Sequence, residues 1–221
     1  MNADLRHIDV WLFDLDNTLY PIESSFMGLI EKKMTAYVAR EIGLSHDDAF
    51  ALQKRYLREH GTTLAGLMAN HGIDPAGYLD EVHDVSLDSL VPDPALREAL
   101  ARLPGRLLVF TNGDAPHAAR VLDKLDLADQ FEAVFHIASA DYLPKPNPKT
   151  FDRIIAEHHL DPRATAFFED SEKNLAPAAV LGMTTVLVGP HAQASTAPFV
   201  QYRTDKLAPF LDAARVRETV R

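Results

Sequence analysis

The chain has no cysteine. That excludes disulfide bridges, thiolate metal sites and cysteine nucleophiles, and leaves histidine, carboxylate and carbonyl oxygens as the ligands open to a metal. Positive charge is scarce: 22 Lys and Arg stand against 32 Asp and Glu, a formal net charge of −10. A field of that sign disfavours association with phosphate polymers and anionic bilayers, so neither a nucleic acid polymer nor a membrane is an expected partner. Long apolar runs are missing as well, none approaching the ~20 residues that span a bilayer. The stretch from Met1 to Asp9 carries Asp4, Arg6 and His7 rather than the apolar core of a secretory leader, so a cytoplasmic location is the expectation. Neither Gly-x4-Gly-Lys-Ser/Thr nor Gly-x-Gly-x-x-Gly occurs, which removes the usual sequence grounds for triphosphate or dinucleotide binding. Internal repeats and low-complexity tracts are also absent.

What is present is an ordinary globular composition, 47% hydrophobic and 24% charged over 221 residues, enough for one medium domain or one domain carrying a sizeable insertion. Short apolar runs rich in Val, Ile, Leu and Phe predict strands near 8–14, 106–111, 133–137, 165–169 and 184–188. Near-continuous runs of this kind suit a parallel sheet covered on both faces. Helical patterns lie between them at about 94–103, 115–126, 148–158 and 172–181, with another after Thr204. Asp93-Pro94 and Asn147-Pro148 each place a capping side chain ahead of a proline suited to the first helical turn. Alternating strand and helix predict a doubly wound, Rossmann-like α/β core. Residues 21–91 break the alternation with helices predicted near 24–42, 46–60, 62–71 and 75–89. The expected division is therefore a core of 1–20 and 92–221 with a helical cap, 21–91, inserted after the first strand. Gly189 to Pro198 reads as a loop.

Four polar clusters follow apolar runs. Asp14 and Asp16 lie just past the first one, where two carboxylates so close together are costly without a cation or hydrogen bonds. Ligands of an open parallel sheet bind outside the carboxyl ends of its strands, so a metal is the economical explanation, against a solvated turn. The second run ends in Thr111-Asn112-Gly113, a hydroxyl followed by backbone amides that an anion can approach because Gly113 adds little bulk. The alternative is a plain Asn-Gly turn. Lys145, beside Pro146 and before a predicted helix, supplies a positive charge at the same edge. The fourth run ends in Glu169-Asp170-Ser171, with Asn174 one helical turn on. Asp14, a carbonyl near Asp16, and Asp170 suit a hard, oxygen-preferring magnesium ion. Glu169 and Asp170 also suit the capping of the next helix.

In combination and in order, Asp14-x-Asp16-x-Thr18, Thr111-Asn112-Gly113, Lys145-Pro146 and Glu169-Asp170 resemble the haloacid dehalogenase superfamily of phosphohydrolases over nearly the whole chain. The resemblance implies Asp14 as nucleophile, Asp16 as general acid/base, Thr111 and Lys145 as holders of the phosphoryl group with Asn112 and Gly113, and a magnesium site completed by Asp170 and Glu169. Asp16 favours phosphatase over dehalogenase, because an alkoxide leaving group needs a proton and a halide does not. The run from Phe13 to Pro21, with Phe168-Glu169-Asp170-Ser171 and Asn174, is most similar to the pyrimidine 5′-nucleotidase subgroup, with a small phosphorylated metabolite as substrate. Asn174 departs from relatives that carry a second aspartate there. A phosphosugar mutase or phosphoglycolate phosphatase of the same superfamily is the alternative. A phosphoacceptor signalling protein is disfavoured, because receivers are shorter and lack so long a helical insertion.

Other residues read as structural. His158 and His159 are adjacent on a predicted helix and face different directions. His136 lies at a strand end, and His117 is expected on a helix surface. Tyr37, Phe50 and Tyr56 serve the apolar faces of a small bundle better than the stacking of a base.

Overall fold

A computed structural model describes residues 3–218. Six strands form one parallel sheet: β1 (Val10–Phe13), β2 (Arg106–Phe110), β3 (Ala133–Phe135), β4 (Thr165–Glu169), β5 (Thr184–Val188) and β6 (Tyr202–Thr204). Their order across the sheet is β3-β2-β1-β4-β5-β6. This doubly wound arrangement is the expected one, and it puts a topological switch point beside β1, between β2 and β4. β1, β4 and β5 are buried along their whole length, which explains why they are apolar apart from Thr165, Glu169, Thr184 and Thr185 at the ends of β4 and β5. In register, Phe13 lies beside Val109 and Phe168, and the Phe13 and Phe168 rings stack at 4.6 Å.

Between β1 and β2 run α1 (Phe26–Ile42), α2 (His46–His60), α3 (Thr63–His71), α4 (Pro75–His83) and α5 (Pro94–Ala101). The remaining helices are α6 (Ala115–Lys124), α7 (Pro148–His158), α8 (Glu172–Val180) and α9 (Leu207–Ala213). Alternate strand residues serve two cores. Trp11, Phe13, Val109 and Phe168 pack with α5, α6 and α9, in a cluster that continues into α1–α4 through Phe26, Tyr78 and Val82. Leu12, Leu108, Phe110 and Phe167 face α7 and α8.

Helix starts follow the sequence chemistry. The side chains of Asp74, Asp93 and Asn147 cap α4, α5 and α7, each with proline in the first turn, an arrangement in which such a cap contributes about 1 kcal/mol. Two boundaries differ from expectation. α1 begins at Phe26, after a separate 3-10 turn at Ile22–Ser24. The helix predicted over 75–89 stops at His83, where the Arg120 guanidinium donates to the His83 carbonyl at 3.0 Å and the Val85 carbonyl at 2.9 Å. An arginine from α6 thus satisfies carbonyls that another helical turn would have used. β6 was not predicted; its three residues are all half-buried.

Candidate active site

The loops after β1, β2 and β4 converge at the switch point on a cavity of about 560 Å³ lined on the sheet side by Asp14, Asp16, Thr111, Lys145, Glu169 and Asp170. At its base is the Lys145 ammonium, 1% exposed. It donates to Asp14 Oδ1 at 2.7 Å, Glu169 Oε2 at 2.8 Å and the Phe110 carbonyl at 2.6 Å. An ammonium has three protons, so all of them are engaged inside the chain. Burial lowers the Lys145 pKa, but the charges of Asp14 and Glu169 outweigh it and hold the group well above its ordinary value. Asn112 clamps the lysine's own backbone: its Oδ1 accepts from the Lys145 N–H at 2.8 Å, and its Nδ2 donates to the Lys145 carbonyl at 3.3 Å. Gly61, in the turn between α2 and α3, rests on the same loop with φ +87°. A Cβ there would come within 3.2 Å of Pro144 Cγ and 3.3 Å of the Lys145 carbonyl oxygen.

One cation against three carboxylates leaves the site over-acidic. Carboxylate oxygens of Asp14, Glu169 and Asp170 all lie within 4.8 Å of one another. Burial pushes the Asp14 carboxyl up to about 7, Glu169 adds to the rise and Lys145 opposes it. Burial, then the charges of Glu169 and Asp14, push Asp170 up to about 9. Glu169 accepts from Lys145 on one oxygen and from the Ser171 N–H, at 3.1 Å, on the other. Asn174 Oδ1 also lines this cavity and is buried with no hydrogen-bond partner. Crowded carboxylates beside an orphaned carbonyl oxygen form an all-oxygen donor set, and it fits a hard divalent cation.

This crowding has a measurable sign. A carboxyl raised to about 9 from an ordinary value near 4 binds more protons folded than unfolded throughout that window. Its contribution to stability therefore falls as pH rises from about 4 to about 9. In chelator, Asp170→Asn is expected to gain on wild type between pH 5 and pH 8, the melting-temperature gap widening by roughly 2–4 °C for each 1 kcal/mol. Parallel melting curves across that range would show that Asp170 is not the strained group.

Asp16 is held differently. The Tyr20 hydroxyl donates to its Oδ1 at 2.7 Å, and His117 Nε2 lies 2.9 Å from the same oxygen. Burial raises the Asp16 pKa, but the charge and hydrogen bond of His117, with Tyr20, outweigh it and hold the carboxyl below its ordinary range. The other oxygen, Oδ2, faces Gly113, 3.8 Å from where a Cβ on that glycine would be. His117 corrects the sequence reading: it is 2% exposed rather than on a helix surface. Burial lowers its pKa, but Asp16 more than reverses that and leaves it raised. The His83 ring of α4 stacks on it at 4.1 Å. His83 Nδ1 in turn meets Asp114 Oδ1, the cap of α6, at 3.1 Å. The available signal was positional, since His117 is in the first turn of a helix that begins at the Thr111-Asn112-Gly113 edge.

Thr111 Oγ1 accepts from the Gly113 N–H at 2.9 Å, leaving its own proton free to donate into the cavity. Tyr37, Phe50 and Tyr56 do not line the cavity. Tyr37 packs edge-on against Tyr78, Tyr56 bonds to His71, and Phe50 is exposed beneath Lys54. His136, His158 and His159 are likewise outside it.

Comparison with known proteins agrees with this arrangement. The sequence profile of haloacid dehalogenase-like hydrolases matches residues 8–182. The chain is 31% identical over 194 residues to Phosphate metabolism protein 8 of Saccharomyces cerevisiae, a match that covers 80% of this chain and 60% of that protein. The chain thus spans less than two thirds of that relative's length. Among solved structures, a HAD phosphatase from Thermococcus onnurineus superposes with a TM-score of 0.60 at 21% identity, covering 98% of this chain and 100% of the other. The L-2-haloacid dehalogenase from Xanthobacter autotrophicus gives 0.58 at 16% identity, covering 93% and 97%. At such identities the structures show the shared fold, which hosts both a phosphatase and a dehalogenase. The profile match spans most of the chain and takes in all four polar clusters, and on that ground the chain belongs to the haloacid dehalogenase-like hydrolases.

Proposed function

We propose that the chain is a magnesium-dependent phosphomonoesterase that works through an aspartyl-phosphate on Asp14, with pyrimidine nucleoside 5′-monophosphates or similar small phosphorylated metabolites as substrates. The observation that carries this reading is Asp16. Its carboxyl shares the cavity with Asp14, and Tyr20 and His117 both bond one of its oxygens. An acid/base group so placed serves an ester whose leaving oxygen must be protonated. Displacement of a halide has no use for it.

In this reading an Asp14 oxygen attacks phosphorus while the bond from phosphorus to the ester oxygen breaks. Asp16 gives that oxygen a proton, releasing an alcohol. Asp16 then takes a proton from water as the water attacks the aspartyl-phosphate, freeing inorganic phosphate and restoring Asp14. The lowered pKa of Asp16 suits the second step, in which it is a base. For the first, the proton is the one shared across its 2.9 Å contact with His117. Lys145 holds Asp14 oriented and balances charge on the transferring group. The Thr111 hydroxyl donates to that group beside the Gly113 amide, and Asn112 keeps Lys145 in place. Asp14, the Asp16 carbonyl, Asp170 and Glu169 would hold magnesium, which when bound neutralises negative charge on the phosphoryl oxygens. Residues 21–91 act as a cap over a core of 1–20 and 92–221, screening the reaction from bulk water. Among the described residues no helix is long and apolar enough to cross a membrane.

Inorganic phosphate release from a panel of phosphomonoesters tests the reading. Turnover is expected with magnesium and is lost in excess chelator. Calcium is expected to inhibit, since its looser coordination fits in-line displacement poorly. Full activity in chelator would contradict the metal assignment, and no release from any ester would contradict the phosphatase.

A further inference from the structure

The helical wall of the same cavity holds polar groups whose bonding is incomplete. Gln53, 3% exposed, lines the cavity from α2. Its Oε1 accepts from the Thr35 hydroxyl at 2.6 Å, while its Nε2 faces only the Met34 sulfur, at 3.7 Å. A thioether is a weak acceptor. Turning the amide over would place nitrogen on Thr35 and oxygen toward Met34, so either orientation leaves one end without a strong partner. Tyr78, from α4, is 1% exposed and lines the same cavity, and its hydroxyl is buried without a partner. Thr63 lies beside Tyr78, and its hydroxyl donates to the backbone carbonyl of Gln53 at 3.5 Å, yet it makes no hydrogen bond of ordinary geometry to the Tyr78 hydroxyl. A buried polar group left unpaired is costly, and the unpartnered Tyr78 hydroxyl on the same wall as a Gln53 amide held at one end only by sulfur marks a place where a ligand completes the bonding.

Charge narrows the class of ligand. On this wall Lys54 is already paired with Glu31; the cavity's other lysine besides Lys145, Lys173, belongs to α8 and reaches the Leu57 carbonyl at the lip. A carboxylate or second phosphate held there would face a neutralised pair, whereas an uncharged amide meets no such obstacle. Ile30, Leu64 and Leu79 supply an apolar surround. We propose that Gln53 and Tyr78 determine specificity by reading an uncharged amide or imide edge, a carbonyl and an N–H side by side, on the leaving group of the phosphate ester. This rests on the phosphomonoesterase reading above. The pair takes no part in the bond changes at phosphorus; it selects which alcohol is presented to Asp14.

The test compares kcat/KM, with magnesium, for uridine 5′-monophosphate, which carries an imide edge, and for ribose 5-phosphate, which does not. Gln53→Met keeps volume and removes the amide. It is expected to lower kcat/KM for the nucleotide about 10–100-fold, the range of a lost buried hydrogen bond, and to leave ribose 5-phosphate within about 2-fold. Tyr78→Phe is expected to lower the nucleotide value about 10-fold with no fall in melting temperature, because the hydroxyl it removes has no partner in the free protein. Equal losses on both esters, or no loss on the nucleotide, would overturn the assignment and leave the phosphatase intact. Turnover of 2-phosphoglycolate as efficient as that of the nucleotide would overturn the uncharged class. Phosphate release from none of these esters by wild type would overturn the phosphatase reading and this inference with it.

Discussion

Asp14→Asn is expected to abolish turnover and covalent labelling together. An amide is a poor nucleophile, and with no acyl-phosphate there is no second step to rescue. The loss is expected to reach the background of the assay. The substitution is nearly isosteric and removes one of three crowded carboxylates, so the protein should remain folded. With Asp14 pushed up to about 7 by burial and by Glu169, its loss relieves strain rather than adding it, and thermal melting of the metal-free variant should show no decrease. Lys145 keeps Glu169 as a partner at 2.8 Å. A variant that melts like wild type and is inactive separates chemistry from folding. Wild-type turnover in that variant would remove Asp14 from the nucleophile's role.

Asp16→Asn is expected to slow both half-reactions, by about 10²–10⁴ for each lost acid–base role, but unequally according to the leaving group. A p-nitrophenolate leaves with little need of a proton, so with p-nitrophenyl phosphate the first step suffers less than the second and aspartyl-phosphate accumulates. Acid-quenched mass spectrometry would find about 80 Da added at Asp14, the mass of the phosphoryl group in the covalent intermediate. With an alkyl phosphate the first step becomes limiting and the label should be scarce. Label at Asp16 instead of Asp14 would reverse the two assignments.

The core was legible because buried parallel strands are largely apolar, and β1, β4 and β5 carry such runs, interrupted only by threonines where β4 and β5 start and by Glu169 where β4 ends. The polar residues that end such strands stand out for the same reason, so Asp14, Thr111, Glu169 and Asp170 were found together. β6 escaped because Tyr202, Arg203 and Thr204 are only half-buried and make no apolar run. His117 escaped because its partner, Asp16, is 101 residues away in sequence, and helix periodicity cannot show that a buried histidine faces an aspartate on another element. The early end of α4 is a tertiary effect too, since it depends on Arg120 reaching over from α6. Pattern likewise placed Tyr37 and Tyr56 on an apolar face without showing whether that face borders the cavity; the structure puts both in packing contacts. Gln53 and Tyr78 carry no sequence signal at all, because incomplete bonding is a property of the folded cavity.

The Arg120 contact also has a mechanical side. At that end the helical segment is fastened by two guanidinium bonds, to the carbonyls of His83 at the end of α4 and of Val85 just past it, by the His83 to Asp114 contact, and by the ring stack on His117. At the opposite lip it meets the Lys145 loop through Gly61, which has no side chain, and meets α8 through one 3.5 Å bond from Lys173 to the Leu57 carbonyl. The attachments are unequal, so any rocking of these helices has its axle at Arg120 and its longest travel at Gly61. Rotation about that axle widens or narrows the mouth above Lys145 while hardly moving His83, His117 and Asp16. Were the helices to rock in this way, the acid–base end would keep its alignment while the opening beside the lysine changed width.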